Sequence, residues 1–148
     1  MPSLVKKEEV IQALLTSPNL QANMQEIVDA VNTLDLNALE SEMRSRVKVE
    51  RWKGEKIAGV DLYNHPNPFL RDQYRYIIDS GGVIYKVYID GNLVFLQYHH
   101  PFKGGLEPIT EAEFEQVASR HVDDIVRHMT LTEAFTRAMR TIISRRAR

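Results

Sequence analysis

The sequence predicts an α+β fold: N-terminal helices, a small antiparallel β-meander centred on a hairpin at 83–100, and two C-terminal helices. Three observations predict it. The stretch VIYKVYIDGNLVFLQYHH sets two runs of β-branched and aromatic residues on either side of Asp90-Gly91-Asn92, where a tight hairpin turn needs residues that tolerate positive φ. Before residue 46 and after residue 110, apolar residues recur at steps of three and four, as along one side of a helix. At 148 residues the chain fits one ordinary domain that needs no disulfide or metal for stability. The expected organisation is a single α+β domain over 1–148, helical over 1–46, mainly β over 47–100 and helical again over 110–145.

Residues 4–16 read as a short helix on Leu4, Val10, Ile11, Leu14 and Leu15, ended by Thr16-Ser17-Pro18-Asn19 because proline disfavours helix at the residue before it. Leu20, Met24, Ile27, Val28, Val31 and Leu34 then form the clearest apolar stripe of the first half. A third helix, with Asp35 as its N-cap, carries Leu36, Leu39 and Met43. From Val47 the period becomes alternating, through Val49 toward Trp52, and Lys53-Gly54-Glu55-Lys56 supplies a turn. Residues 57–63 return as a partner strand, weakened by Gly59. Asn64-His65-Pro66-Asn67-Pro68 is a stiff surface connector, and residues 73–79 alternate again as a strand that Ser80-Gly81-Gly82 turns into the hairpin. Three to five antiparallel strands result.

Parity selects the hairpin loop. With a two-residue loop, Val83, Tyr85, Val87 and Ile89 share an almost wholly apolar face with Val94, Leu96, Tyr98 and His100. A three-residue loop would set Val87 and Tyr85 beside Phe95 and Gln97 and is rejected, since a one-residue slip reverses every side chain. The opposite face is mixed, with Ile84, Lys86, Tyr88, Asp90, Leu93, Phe95, Gln97 and His99. Two unequal apolar faces between helices call for a three-layer fold or an oligomer interface. Beyond the hairpin, Thr110-Glu111-Ala112-Glu113 is a capping box that starts a helix on Phe114, Val117, Ala118, His121, Val122, Ile125 and Met129. Thr130-Leu131-Thr132-Glu133 repeats the pattern and starts a last helix on Leu131, Phe135, Ala138, Met139, Ile142 and Ile143.

Composition removes several function classes. With no cysteine there is no disulfide, thiolate nucleophile or cysteine-ligated metal. The N-terminal residues turn charged before any signal-like apolar run, and no stretch reaches about 18 apolar residues, so a cytoplasmic protein is expected. A net charge of -1 gives no general attraction to nucleic acid or anionic lipid, yet seven arginines lie between Arg120 and the end. There is no Gly-x-Ser-x-Gly elbow, P-loop or Gly-x-Gly-x-x-Gly.

The remaining candidates are clusters. Tyr63-Asn64-His65-Pro66 and Tyr98-His99-His100-Pro101 are similar tetrads at strand ends, and His65, His99 and His100 with Asp61 or Asp72 would suit zinc or a late first-row divalent metal. His121, Asp124 and His128 fall on neighbouring turns of one helix, where they could hold a metal or pair a carboxylate with a general base, beyond Glu111 and Glu115. In both cases the ordinary reading is stronger: no tight ligand spacing is present, and His121 sits on the apolar stripe. The leading expectation is a small intracellular protein-interaction module, microbial or viral, without cofactor. It would bind a protein or itself through Lys86, Tyr88, Phe95, His99 and His100. The alternatives are a metal-dependent hydrolase using a His/Asp cluster, and a nucleic-acid-binding protein using the aromatic and basic sheet face with the arginine-rich C-terminal helix, which carries Arg137, Arg140, Arg145 and Arg146.

Overall fold

Short polar side chains and glycines set the boundaries of most elements in the computed structural model, which describes residues 3–99 and 110–146. In order, these are α1 (Lys7–Leu15), α2 (Met24–Asn32), α3 (Leu36–Arg46), β1 (Val47–Arg51), α4 (Pro68–Asp79), β2 (Val83–Ile89), β3 (Asn92–His99) and α5 (Glu111–Arg146). Helices and an antiparallel sheet make this the expected α+β class. The chain divides into two compact units, Met1–Arg46 with Asp123–Arg148, and Val47–Val122. No helix of the described residues is long and apolar enough to cross a membrane.

The first unit is helical. Asn23 caps α2 by accepting from the Glu26 amide at 2.9 Å, and the Glu26 carboxylate accepts from the Asn23 amide at 3.3 Å, so two otherwise orphaned donors are satisfied. Asp35 caps α3 as expected, accepting from the Ala38 amide at 3.1 Å. Val10, Leu14, Ile27, Val31, Leu39 and Met43 are buried in this unit, as are Val126, Ala134, Ala138 and Ile142 of α5. Each large aliphatic side chain so buried is worth roughly 1.5–3 kcal/mol. At the rim, Arg44 meets Asp123 at 2.8 Å, Arg127 meets Glu9, Arg137 meets Glu133 at 3.0 Å, and Arg146 meets Glu26 at 3.1 Å.

The second unit is built on a sheet of order β1-β2-β3. The hairpin turn has two residues, Asp90 and Gly91, with φ of 53° and 79°, and it pairs Ile89 with Asn92. The ladder then slips. Tyr88 faces Leu93 but Val87 faces Phe95, so Val94 is an extra residue with no partner on β2. The loop length is therefore as expected, while the face assignment is corrected. Val87 and Tyr85 lie beside Phe95 and Gln97, the arrangement that parity had rejected, because a bulge produces it without a longer loop. On this face Tyr85 packs against Phe114 and His121, with ring centroids 6.1 and 5.3 Å away. On the opposite face Ile84 is buried with Leu62 and with Ile77 of α4, and Trp52, Tyr74, Ile78 and Leu96 pack around them. This end of the sheet is thus the middle of three layers.

Three further expectations are corrected. Residues 73–79 are helical, not a strand, because Asn67 accepts from the amides of Phe69 and Leu70 at 3.0 and 3.4 Å and Pro68 fits the first turn. The same helix ends in paired bonds from Gly81 to the Ile78 carbonyl and from Gly82 to the Ile77 carbonyl, with Gly81 at φ 81°. A Cβ on Gly82 would stand 2.9 Å from Ile77 Cγ2 and 3.0 Å from the His99 carbonyl oxygen, so this glycine lets α4 and the hairpin close together. Residues 57–63 form no strand; an isolated bridge joins Ile57 to Val60 around Ala58 and Gly59, both at positive φ. Finally, the two C-terminal helices are one, Glu111–Arg146. Thr110 does cap it, accepting from the Glu113 amide at 3.2 Å. Thr130 does not cap a second helix: it is fully buried, and its hydroxyl donates 2.7 Å to the Val126 carbonyl one turn back.

Candidate functional site

Among the described residues of the second unit, strand β3 carries four of the exposed large apolar side chains. It lies at an edge, and among the described residues no strand pairs with its outer side. In an antiparallel strand alternate residues turn both backbone groups away from the neighbour, so such an edge is ready to pair with another chain. Leu93, Val94, Phe95 and Tyr98 are 39%, 48%, 42% and 48% exposed, unusually high for large apolar side chains in a strand. From Asn92 to His99 the strand bears no Asp, Glu, Lys or Arg.

Helix α4 adjoins this edge through Gln73, whose side-chain amide donates 3.4 Å to the Tyr98 hydroxyl. On either side of Gln73 along the helix stand Phe69 and Tyr76, the most exposed aromatics among the unit's described residues at 76% and 68%. Seven residues apart, they lie on one side of the helix. Edge and helix together offer the exposed aromatic rings of Phe69, Tyr76, Phe95 and Tyr98, a residue type enriched at the centres of protein interfaces.

The sequence-predicted contact residues are placed differently from one another. Phe95 stands on the exposed edge. Lys86 is on the central strand with its side chain only 13% exposed; its ammonium lies 2.7 Å from Glu55, 3.5 Å from Glu50, and 5.9 Å over the Tyr88 ring. The hydrogen bond from Lys86 holds the Glu55 carboxyl down to about 2, and Glu55 in turn raises the Lys86 ammonium. His99 ends β3, partly buried opposite Val83, and His100 lies outside the described residues. Lys86 and Tyr88 therefore stand behind the edge, one strand inward from it.

The metal candidates are also located. His65 Nδ1 accepts from the Asn67 amide at 3.0 Å, and its ring lies 6.0 Å from that of Tyr74. His121 packs on Tyr85, whereas Asp124 and His128 are exposed. Among the described residues no group of three His, Asp or Glu side chains is gathered to hold a metal ion. Of the arginines proposed for nucleic acid, Arg137 and Arg146 are paired with carboxylates, and Arg140 and Arg145 line an open cavity with Thr141 and Ser144.

Phe69, Tyr76 and Val94 were not singled out by the sequence reading. The first two were legible: Asn67-Pro68 is a cap followed by a first-turn proline, and it would have set Phe69 and Tyr76 on one helix face. In comparisons with protein-family models, curated proteins and solved structures, the chain matches none.

Proposed function

We propose that this chain is a protein-interaction module acting in the cytoplasm, and that its contact surface is the β3 edge together with the outer face of α4. The observation that carries this reading is an eight-residue edge strand with no charged side chain and four large apolar side chains more than a third exposed. Proteins defend free edges with charged side chains, prolines, bulges or a covering element; beyond its one bulge at Val94, β3 from Phe95 to His99 shows none of these among the described residues, which supports pairing by strand addition there. Main-chain hydrogen bonds along β3 would supply affinity, and Phe95, Tyr98, Phe69 and Tyr76 would supply specificity. Lys86 and Tyr88 would act from behind, holding β2 to β1 and so presenting β3.

Site-specific photo-crosslinking tests the reading. A benzophenone side chain at Phe95 or Leu93 in the whole chain, irradiated in cells that make the protein, is expected to capture a polypeptide, and the same group at Lys48 on β1 is not. Equal capture from both edges, or none from β3, would remove the β3 assignment.

A further inference from the structure

Resting on that reading, we infer that the occupant of the β3 edge is the β3 edge of a second copy of this chain, paired antiparallel across a two-fold axis normal to the sheet. The two three-stranded sheets then form one sheet of six strands.

Charge is the first ground. An isologous contact brings every side chain near its own copy, so a charged strand repels itself while an uncharged one does not. The two edges differ in this respect: β1 carries Lys48, Glu50 and Arg51 in five residues, and β3 carries no charge in eight. A partner selected by charge would need a complementary charge on β3, and the strand has none to offer.

Register is the second ground. A two-fold normal to the sheet keeps each face with its own, so residues of like parity must stand opposite one another. Past the bulge at Val94, β3 is regular from Phe95 to His99, paired one to one with Val87 to Val83. The register that confines pairing to this segment centres on Gln97. It sets Gln97 against its own copy, Leu96 against Tyr98, and Phe95 against His99. The two glutamine amides can hydrogen-bond to each other, since each offers both donors and an acceptor. The Leu96–Tyr98 pairs cover apolar surface that the single chain leaves open, Tyr98 being 48% exposed.

Sedimentation equilibrium of the purified full chain is expected to give twice the 17.1 kDa mass of one chain. Phe95→Lys, at an exposed position, is expected to keep the folded far-ultraviolet circular dichroism spectrum and raise the dimer dissociation constant about tenfold or more. The absence of native cysteine permits a direct register test. Gln97→Cys should form an intermolecular disulfide with itself on mild oxidation, because directly opposed Cβ atoms are about 4.5–5.5 Å apart, near disulfide reach. Asn92→Cys, outside the paired segment, should form no intermolecular disulfide under the same oxidation.

A wild-type chain that stays monomeric at its highest soluble concentration overturns the second copy as occupant. If β3 then crosslinks to another polypeptide in cells, the interaction reading stands with a different partner. If nothing is captured, both fail. If the monomer instead shows strong hydrogen-exchange protection of the outward-facing amides of β3, the edge is covered within the chain itself, and the second copy is again excluded. A dimer that Phe95→Lys leaves intact also overturns the proposal.

Discussion

β1 and β3 flank the same strand and face opposite demands. β1 is short and dense in charge, with Lys48 bound to Glu50 at 2.8 Å and Arg51 bound to Glu111 of α5 at 2.7 Å. An incoming strand would have to displace solvent from these groups. β3 is longer, uncharged, and displays aromatic and aliphatic side chains. Among the described residues one edge thus carries charge and the other does not, so the two would meet an incoming strand differently.

The largest test removes what both edges share. Tyr85 is completely buried on β2, and Tyr85→Ala should cost about 3–5 kcal/mol in denaturant titrations of the full chain, abolishing both edges together. A loss well below that range would mean that the edges do not depend on this core. Next comes exchanging the edges' character. Val94→Lys, at a half-exposed position, should change stability by less than about 0.5 kcal/mol yet weaken self-association. Lys48→Val, whose side chain is 71% exposed, should promote self-association through β1. Unchanged sedimentation in both variants would leave the charge difference without consequence.

Two smaller tests concern the strand between the edges. The Tyr85 hydroxyl is buried and finds no hydrogen-bond partner among the described residues, so Tyr85→Phe should stabilise the fold by about 1 kcal/mol. Burial pushes the Tyr85 phenol above its ordinary value of 10.0. The phenol therefore ionises first in the unfolded chain, and stability should fall as pH rises past that value in the wild type and less in Tyr85→Phe. At the acid end the sign reverses. Glu55 is held at about 2 against an ordinary 4.5, so its contribution is full above 4.5 and is lost as pH falls toward 2. Solvent screening limits that loss to less than about 1 kcal/mol, and Lys86→Met should flatten this part of the stability profile.

How far the sequence reveals this molecule depends on how local each signal is. The caps at Asn23, Asp35 and Thr110 act within four residues, so helix starts were readable or nearly so. The Asp90-Gly91 turn was readable for the same reason. Residues 73–79 deceived because Tyr74, Tyr76 and Ile78 alternate, although Tyr76 points to solvent and Ile77 carries the burial. Thr130 deceived because a threonine can cap a helix or bond back within one, and the choice depends on burial that the local motif does not contain. The open edge was half legible: the sequence marks β3 as uncharged, but only strand order shows that it lies outermost.

The unpaired Val94 also bears on how this hairpin tolerates insertions and deletions. Deleting Val94 would join Leu93 directly to Phe95 and leave every other cross-strand pairing as it stands. Deleting a residue between Phe95 and Gln97 instead would reverse the facing of those that remain beyond it. The hairpin thus has one position at which a codon can be gained or lost without redistributing the core. Loss there would straighten the outer strand, and a straighter strand is the more adhesive one.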